Sequence, residues 1–334
     1  MSELWNEFIS ESNFNHALHR ASAARQAKPA VARFLENAAA NLEKVRQTVS
    51  RGEFRTSEYR TMEITDPKRR TIYILPFAPD RIIHHAVMNI MAPIWTKLFI
   101  RDTFACIPGR GLCSADIRTM TFCRKNEFAL KCDIAKFYPS ITHDILWRIV
   151  RKYTPCPEIA EILRDIIYSV GGGKNLPIGN LCSQWLGNLY LNELDQFVKR
   201  ELKCESYLRY CDDFLLFSND KKQLAEWREK IRAFLNDKLQ LRFSKCEIMP
   251  VRCGVDFIGY RHFADFILMR KRTLKKLRKR IVRIGNMTQI PAARLDKIRG
   301  QVSAANGWLK HANTYNLRKK LRFARVKKKV GIKS

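Results

Sequence analysis

Tyr210-Cys211-Asp212-Asp213 sets two adjacent carboxylates between the apolar segments Tyr207-Leu208 and Phe214-Leu215-Leu216-Phe217. Neighbouring acids repel, and apolar flanks deprive them of screening water, so the pair calls for a cation. The flanks read as two short strands, with the acids at the tight turn that joins them. A third aspartate, Asp133, ends another strand-like run, Phe128-Ala129-Leu130-Lys131-Cys132. Carboxylates gathered on neighbouring strand ends make a hard-oxygen site suited to Mg²⁺.

The partner follows from charge. The 334 residues carry 62 Lys and Arg against 32 Asp and Glu, a formal excess of +30. Such an excess repels itself unless a polyanion is bound, which points to nucleic-acid phosphates. The hydrophobic fraction of 46% is that of a globular protein of two or three subdomains, not of a disordered one. No apolar run long enough to span a bilayer and no secretory signal is present, so a membrane partner is not expected. The ten cysteines form no C-x-x-C pair, which speaks against zinc. Cys132 and Cys182 lie in apolar segments as small buried hydrophobes, in keeping with a reduced, cytoplasmic setting.

Residues 1 to about 50 are expected to be helical, Ala-rich with Glu and Arg spaced from His16 to Arg51. Glu63-Ile64-Thr65 and Arg70-Thr71-Ile72-Tyr73-Ile74-Leu75 read as strands joined by the turn signal Asp66-Pro67. Further helices are expected from Arg81 to about Trp95, after Ser114 as N-cap, over His143 to Tyr153 and over Ile159 to Ser169. Two more are expected over Ser183 to Leu202 and over 221 to 239. Gln240 to Val251 and Val255 to His262 read as strands. From Thr273 the chain turns helical and intensely basic, with Leu274, Leu277, Ile281 and Ile284 at helical spacing. The closing Lys327-Lys328-Lys329 reads as a disordered tail.

From about residue 60 to about 320 the order of segments resembles that of reverse transcriptases. Leu130-Lys131-Cys132-Asp133-Ile134-Ala135-Lys136-Phe137-Tyr138-Pro139-Ser140-Ile141 is similar to that family's first catalytic motif, and Tyr210-Cys211-Asp212-Asp213 to its Y-x-D-D motif. Gly254-Val255-Asp256-Phe257-Ile258-Gly259-Tyr260 resembles its primer-gripping strand pair. Ile178-Gly179-Asn180-Leu181-Cys182-Ser183-Gln184 departs from the usual Gln-Gly and Ser-Pro pairs. Its I-G-x-x-x-S-Q pattern resembles the reverse transcriptases of diversity-generating retroelements, as does Gly307-Trp308-Leu309-Lys310-His311-Ala312-Asn313.

The resemblance implies a right-hand polymerase of the α/β (α+β) class: an antiparallel palm sheet flanked by helices, with fingers and a short helical thumb. The implied division is an N-terminal helical region at 1–55, fingers at 56–127 and 143–182, palm at 128–142 and 183–265, and a basic helical thumb and tail at 266–334. It also implies an RNA-directed DNA polymerase using dNTPs and two Mg²⁺ ions. Such an enzyme copies a retroelement template RNA into cDNA with errors opposite adenine. Its expected partners are that RNA, the RNA–cDNA duplex and an accessory variability determinant, a small basic helical-bundle oligomer.

On the same resemblance, Asp133, Asp212 and Asp213 are the catalytic metal ligands, helped by the carbonyl of Ile134. Lys68 and Arg70 grip the triphosphate, with Arg69 as the alternative if the register shifts by one and a solvated face as the plainer reading. Tyr138 lies under the incoming sugar and excludes a ribose 2′-hydroxyl, unless it is core like Phe137. Ile178 and Gly179 line the nucleotide pocket, glycine allowing close backbone approach. An Ile where relatives carry Gln offers shape without a polar anchor, which would weaken discrimination; an ordinary core role is the alternative. Gln184 holds template or merely caps the helix, and Lys245 stands where polymerases place a lysine able to protonate pyrophosphate. Gly259, Tyr260, Lys275, Arg278 and Lys310 are the primer and template contacts. Retron, intron and phage-defence reverse transcriptases remain the alternatives within the enzyme class, and a non-catalytic RNA-binding scaffold outside it.

Overall fold

The computed structural model describes residues 2–65 and 68–332, so the expected turn at Asp66-Pro67 lies outside the described residues. Four helices open the chain: α1 (Glu3–Phe8), α2 (Glu11–Ser22), α3 (Pro29–Leu35) and α4 (Ala38–Ser50). Ser2 and Ser10 cap the first two, each accepting a hydrogen bond from a first-turn N–H. A hairpin follows, β1 (Arg60–Ile64) against β2 (Arg70–Ile74), and then α5 (Ile82–Thr96). Trp5, Phe8 and Phe14 share one core with Ile82, Ile83 and Val87 of α5, so the N-terminal helices are packed into the main body.

After β3 (Thr103–Phe104) comes α6 (Leu112–Lys125), whose N-cap is Gly111. Ser114, expected to cap it, lies inside the first turn, because the helix already starts two residues earlier on the Gly111 carbonyl. The chain continues through β4 (Phe128–Ile134), α7 (Phe137–Ser140), α8 (His143–Tyr153) and α9 (Pro157–Tyr168). The long apolar helix α10 runs Leu181–Gln196 and passes into a wider π turn at Phe197–Glu201. Then follow β5 (Tyr207–Tyr210), β6 (Asp213–Ser218), α11 (Lys221–Leu239) and β7 (Phe243–Pro250).

These strands form a five-stranded sheet in the order β3-β5-β6-β4-β7, antiparallel except where β3 meets β5. Side chains alternate across it with the period of two that a strand imposes. Leu130, Cys132, Ile134, Phe214 and Leu216 join the core that includes Leu186 and Leu189 of α10. Ala129, Leu208, Leu215 and Phe217 pack the other face against Ala115 and Phe122 of α6. Each large apolar side chain buried this way contributes roughly 1.5–3 kcal/mol. The sheet is thus clamped on both faces.

Val255 to His262, read as strand and, by resemblance over Gly254 to Tyr260, as a strand pair, is a hairpin: β8 (Val255–Phe257) and β9 (Tyr260–His262) reverse at Ile258-Gly259. β10 (Ile267–Met269) adds a third strand. The basic end forms α12 (Lys271–Gly285), α13 (Ala292–His311), α14 (Tyr315–Lys320) and α15 (Phe323–Lys329). Leu277, Ile281 and Ile284 are buried with Val302, Leu309 and Val326, as their helical spacing implies. Lys327-Lys328-Lys329 is no disordered tail: it is the last turn of α15, anchored by buried Phe323 and Val326. The Lys329 ammonium donates to the carbonyls of Gly285 (3.1 Å) and Met287 just past the end of α12. At the joint with the sheet, Asp116 of α6 is fully buried between His262 of β9 (2.7 Å) and His311 of α13 (2.5 Å). Among the described residues no helix is long and apolar enough to cross a membrane.

Candidate active site

Strand register brings the acids together. Asp133 is the direct neighbour of Asp213 across β4–β6, and Lys245 is its neighbour on the opposite side, across β4–β7. Directly opposed residues project from the same face, so Asp133 and Asp213 point the same way, together with Lys131 two positions before Asp133. Cys211 and Asp212 form the two-residue turn, and Cys211 takes φ +54°, a left-handed conformation unfavourable for a residue with a Cβ.

Burial pushes the Asp213 carboxyl up to about 6; Lys131 opposes the shift, while the charges of Asp133 and Asp212 add to it. Asp212 is raised by burial first and then by Asp133. Ser244 of β7 donates its hydroxyl to Asp133 Oδ2. Carboxylates that are half-buried, close and mutually repelling, with only oxygen donors among them, fit a hard divalent cation. Among the described residues no three His, Cys, Asp or Glu side chains converge on one point as they stand. The strand ends are in register, while the carboxylate oxygens do not share a common centre.

The fingers-like hairpin faces this cluster. Lys68 and Arg70 are exposed, and both lower the proton affinity of Asp212, which places their charge on its side. Arg69 is instead bound to Glu63 on the neighbouring strand at 2.8 Å, so the alternative register is spent within the hairpin. The hairpin is fastened to the Ile178 segment: Tyr73 N–H donates to the Ile178 carbonyl (2.8 Å), and Asn175 donates to the Tyr73 hydroxyl (2.8 Å). Gly179 sits at φ +124°, and a Cβ there would lie 2.4 Å from the Tyr73 carbonyl. The crowding that requires glycine at this position comes from the hairpin backbone.

Phe137 is buried in the main core, whereas Tyr138 is half-buried against Gly187 of α10, with Asp212 and Cys211 among its neighbours. Gln184 lies in the first turns of α10 with its side chain exposed; the cap position belongs to Asn180, whose side chain donates to Tyr59. Lys245 is exposed beside Glu247 at 4.0 Å. Lys275, Arg278 and Lys310 are exposed on α12 and α13. Tyr260, expected as a primer contact, is 1% exposed, its ring 5.0 Å from Trp308 and its hydroxyl directed at the Trp308 carbonyl. That side chain offers no surface to a nucleic acid. A Cβ on Gly259 would strike the Trp308 ring at 2.6 Å, so this turn is seated on α13.

Three polar residues at the site were not singled out along the chain. Lys131 could have been found from strand alternation with Asp133. Arg209, a charge inside an apolar strand, was visible but had no evident partner. Ser244 carried no signal.

The chain matches the family model described as reverse transcriptase (RNA-dependent DNA polymerase) over residues 65–262. It is 27% identical over 247 residues to protein YkfC of Escherichia coli (strain K12), covering 60% of this chain and 63% of that protein. It is 22% identical over 341 aligned positions to the group II intron-encoded protein LtrA of Lactococcus lactis subsp. cremoris, covering 77% of this chain and 55% of that one. The chain thus spans less than two thirds of either relative. The solved telomerase of Candida albicans, in complex with a TWJ fragment of telomeric RNA, superposes with a TM-score of 0.50 at 12% identity. The match covers 78% of this chain and 56% of the telomerase chain, a likeness of fold: the right-hand polymerase arrangement.

Proposed function

The chain belongs to the reverse transcriptase (RNA-dependent DNA polymerase) family, and from that premise we propose that it copies an RNA template into DNA from dNTPs. The observation that carries this is the register that sets Asp133 beside Asp213 with Asp212 at the adjoining turn. Asp133, Asp212, Asp213 and the Ile134 carbonyl would hold Mg²⁺, two ions in all. When bound, the ions activate the primer hydroxyl and neutralise the leaving pyrophosphate. Lys68 and Arg70 bind the triphosphate from the hairpin tip, and Lys245 gives pyrophosphate a proton. Tyr138 excludes a 2′-hydroxyl, and Ile178 with Gly179 shapes the pocket around the new base pair. The turn at Gly259 and the exposed Lys275, Arg278 and Lys310 hold the primer–template duplex through its backbone.

The finer reading is an error-prone enzyme of a diversity-generating retroelement, acting in the cytoplasm on its own template RNA with a small basic helical-bundle accessory protein. The I-G-x-x-x-S-Q segment supports it, since Ile178 gives the pocket shape without a polar anchor. Similarity to a group II intron-encoded protein favours a second reading, a reverse transcriptase without adenine mutagenesis.

Primer extension on an adenine-rich RNA template, followed by cDNA sequencing with and without a candidate accessory protein, tests both levels. Asp212→Asn should slow extension by about a thousandfold or more while RNA binding stays within a few fold. Ile178→Gln should reduce misincorporation opposite adenine; an unchanged error spectrum removes this residue from the account. Accurate cDNA from the unaltered chain, with the partner present, would leave the second reading.

A further inference from the structure

Behind the acidic turn lies a guanidinium with all five of its N–H groups engaged. Arg209 of β5 is 0% exposed. Its Nε and Nη2 donate to the two oxygens of Asp195 at 2.8 and 2.6 Å. Nη2 also donates to the Asn188 carbonyl at 3.4 Å, and Nη1 to Asn188 Oδ1 at 3.1 Å. The fifth hydrogen bond runs from Nη1 to the carbonyl of Cys211 at 3.0 Å. Asp195 is itself held on α10 by the hydroxyls of Tyr207 (2.6 Å) and Thr103 (2.8 Å). Burial works against the charge on Arg209, and adjacent Asp195 more than offsets it, so the fork stays cationic.

Packing alone does not account for this arrangement. An apolar pair of similar volume commonly stabilises a core as well as a buried ion pair does. What an apolar pair could not do is grip a backbone carbonyl of the turn. The Cys211 carbonyl and the Asp212 N–H belong to one rigid peptide plane, so orienting the first orients the second. Cys211 also holds a positive φ of 54°, which would relax if nothing opposed it.

We propose that Arg209 is a positioning residue: anchored by Asp195 and Asn188, it holds the Cys211 carbonyl and so fixes the peptide from which Asp212 presents its carboxylate to the metal. The proposal rests on the reading of Asp212 as a metal ligand.

Two substitutions separate this role from stability. Arg209→Lys keeps a charge beside Asp195 but concentrates its donors on one nitrogen, which cannot span Asp195, Asn188 and Cys211. The double variant Asp195→Asn/Arg209→Gln removes both charges together and leaves a side chain too short for the Cys211 carbonyl. The full chain and both variants are compared by thermal melting, by Mn²⁺ titration read through water-proton relaxation, and by primer extension at varied Mg²⁺. We expect at least one variant to melt close to the unaltered protein. That variant should bind Mn²⁺ about tenfold or more weakly, need several-fold more Mg²⁺, and lose about 10- to 100-fold in kcat. Its KM for primer–template should not change.

A folded variant with unaltered Mn²⁺ affinity, Mg²⁺ dependence and kcat overturns the proposal. So do losses that only follow melting temperature, and so does failure of both variants to fold, which would assign the network to stability alone. If the unaltered chain binds Mn²⁺ but extends no primer, the polymerase reading fails while the Mn²⁺ comparison still decides the role of Arg209.

Discussion

At Asp213 the protein keeps a carboxyl where it is costly to ionise. A carboxyl raised from 3.8 to about 6 binds its proton more tightly folded than unfolded. Its stabilising effect is therefore complete below the unfolded value and lost as pH rises through the folded one. Asp213→Asn should accordingly stabilise the metal-free protein at pH 7–8, by roughly 1–2 kcal/mol, with little effect near pH 4. Denaturant titration in chelator at both pH values checks this; equal effects at both would mean that charge is not the cause. At Gly179, alanine would meet the Tyr73 carbonyl at 2.4 Å in a backbone conformation reserved for glycine. Gly179→Ala should cost about 2–3 kcal/mol or displace the hairpin. Displacement would be seen as a several-fold rise in KM for dNTP with primer–template affinity unchanged. Asp133, Asp212 and Asp213 were legible in the chain because acids among apolar residues are anomalous wherever they occur. The burial of Tyr260 was not, since a tyrosine two residues before His262 gives no hint of Trp308 above it.

Among the elements, helices with clean periodicity were the readable ones: His143–Tyr153 and Lys221–Leu239 run as the sequence implies. The β8–β9 turn was legible only through the resemblance, because Ile258, a β-branched residue, adopts φ +39° there beside Gly259 at +93°. The joint between sheet and C-terminal helices was hidden, because Asp116, His262 and His311 are separated by up to 195 residues along the chain yet meet in one cluster, with Asp116 and His262 fully buried. Removing the shared carboxylate leaves the fully buried His262 imidazole without it. Asp116→Ala should lower stability by about 3 kcal/mol and loosen the C-terminal helices first. Limited proteolysis is the check, with faster cutting around residues 263–272 expected. A variant cut no faster there would show that the apolar contacts of Trp308 and Leu309 hold the joint alone.

For the molecule as a whole, the +30 excess sets the response to salt. If six to ten phosphates are neutralised, affinity for an RNA–DNA duplex should fall by about 10³–10⁵ between 50 and 200 mM salt. Filter binding across that range measures the slope, and a flat response would exclude backbone contacts as the main source of affinity. Charge, residue type and hydrophobic period are properties of single positions or short stretches. The adjacent acids among apolar residues, the basic excess and most helices could therefore be read along the chain. Which polar groups share a dry interior depends on distant segments meeting. Only the fold put Arg209 beneath the acidic turn, Asp116 between two histidines and the Tyr73 carbonyl against Gly179, because burial and close approach exist only once the elements have packed.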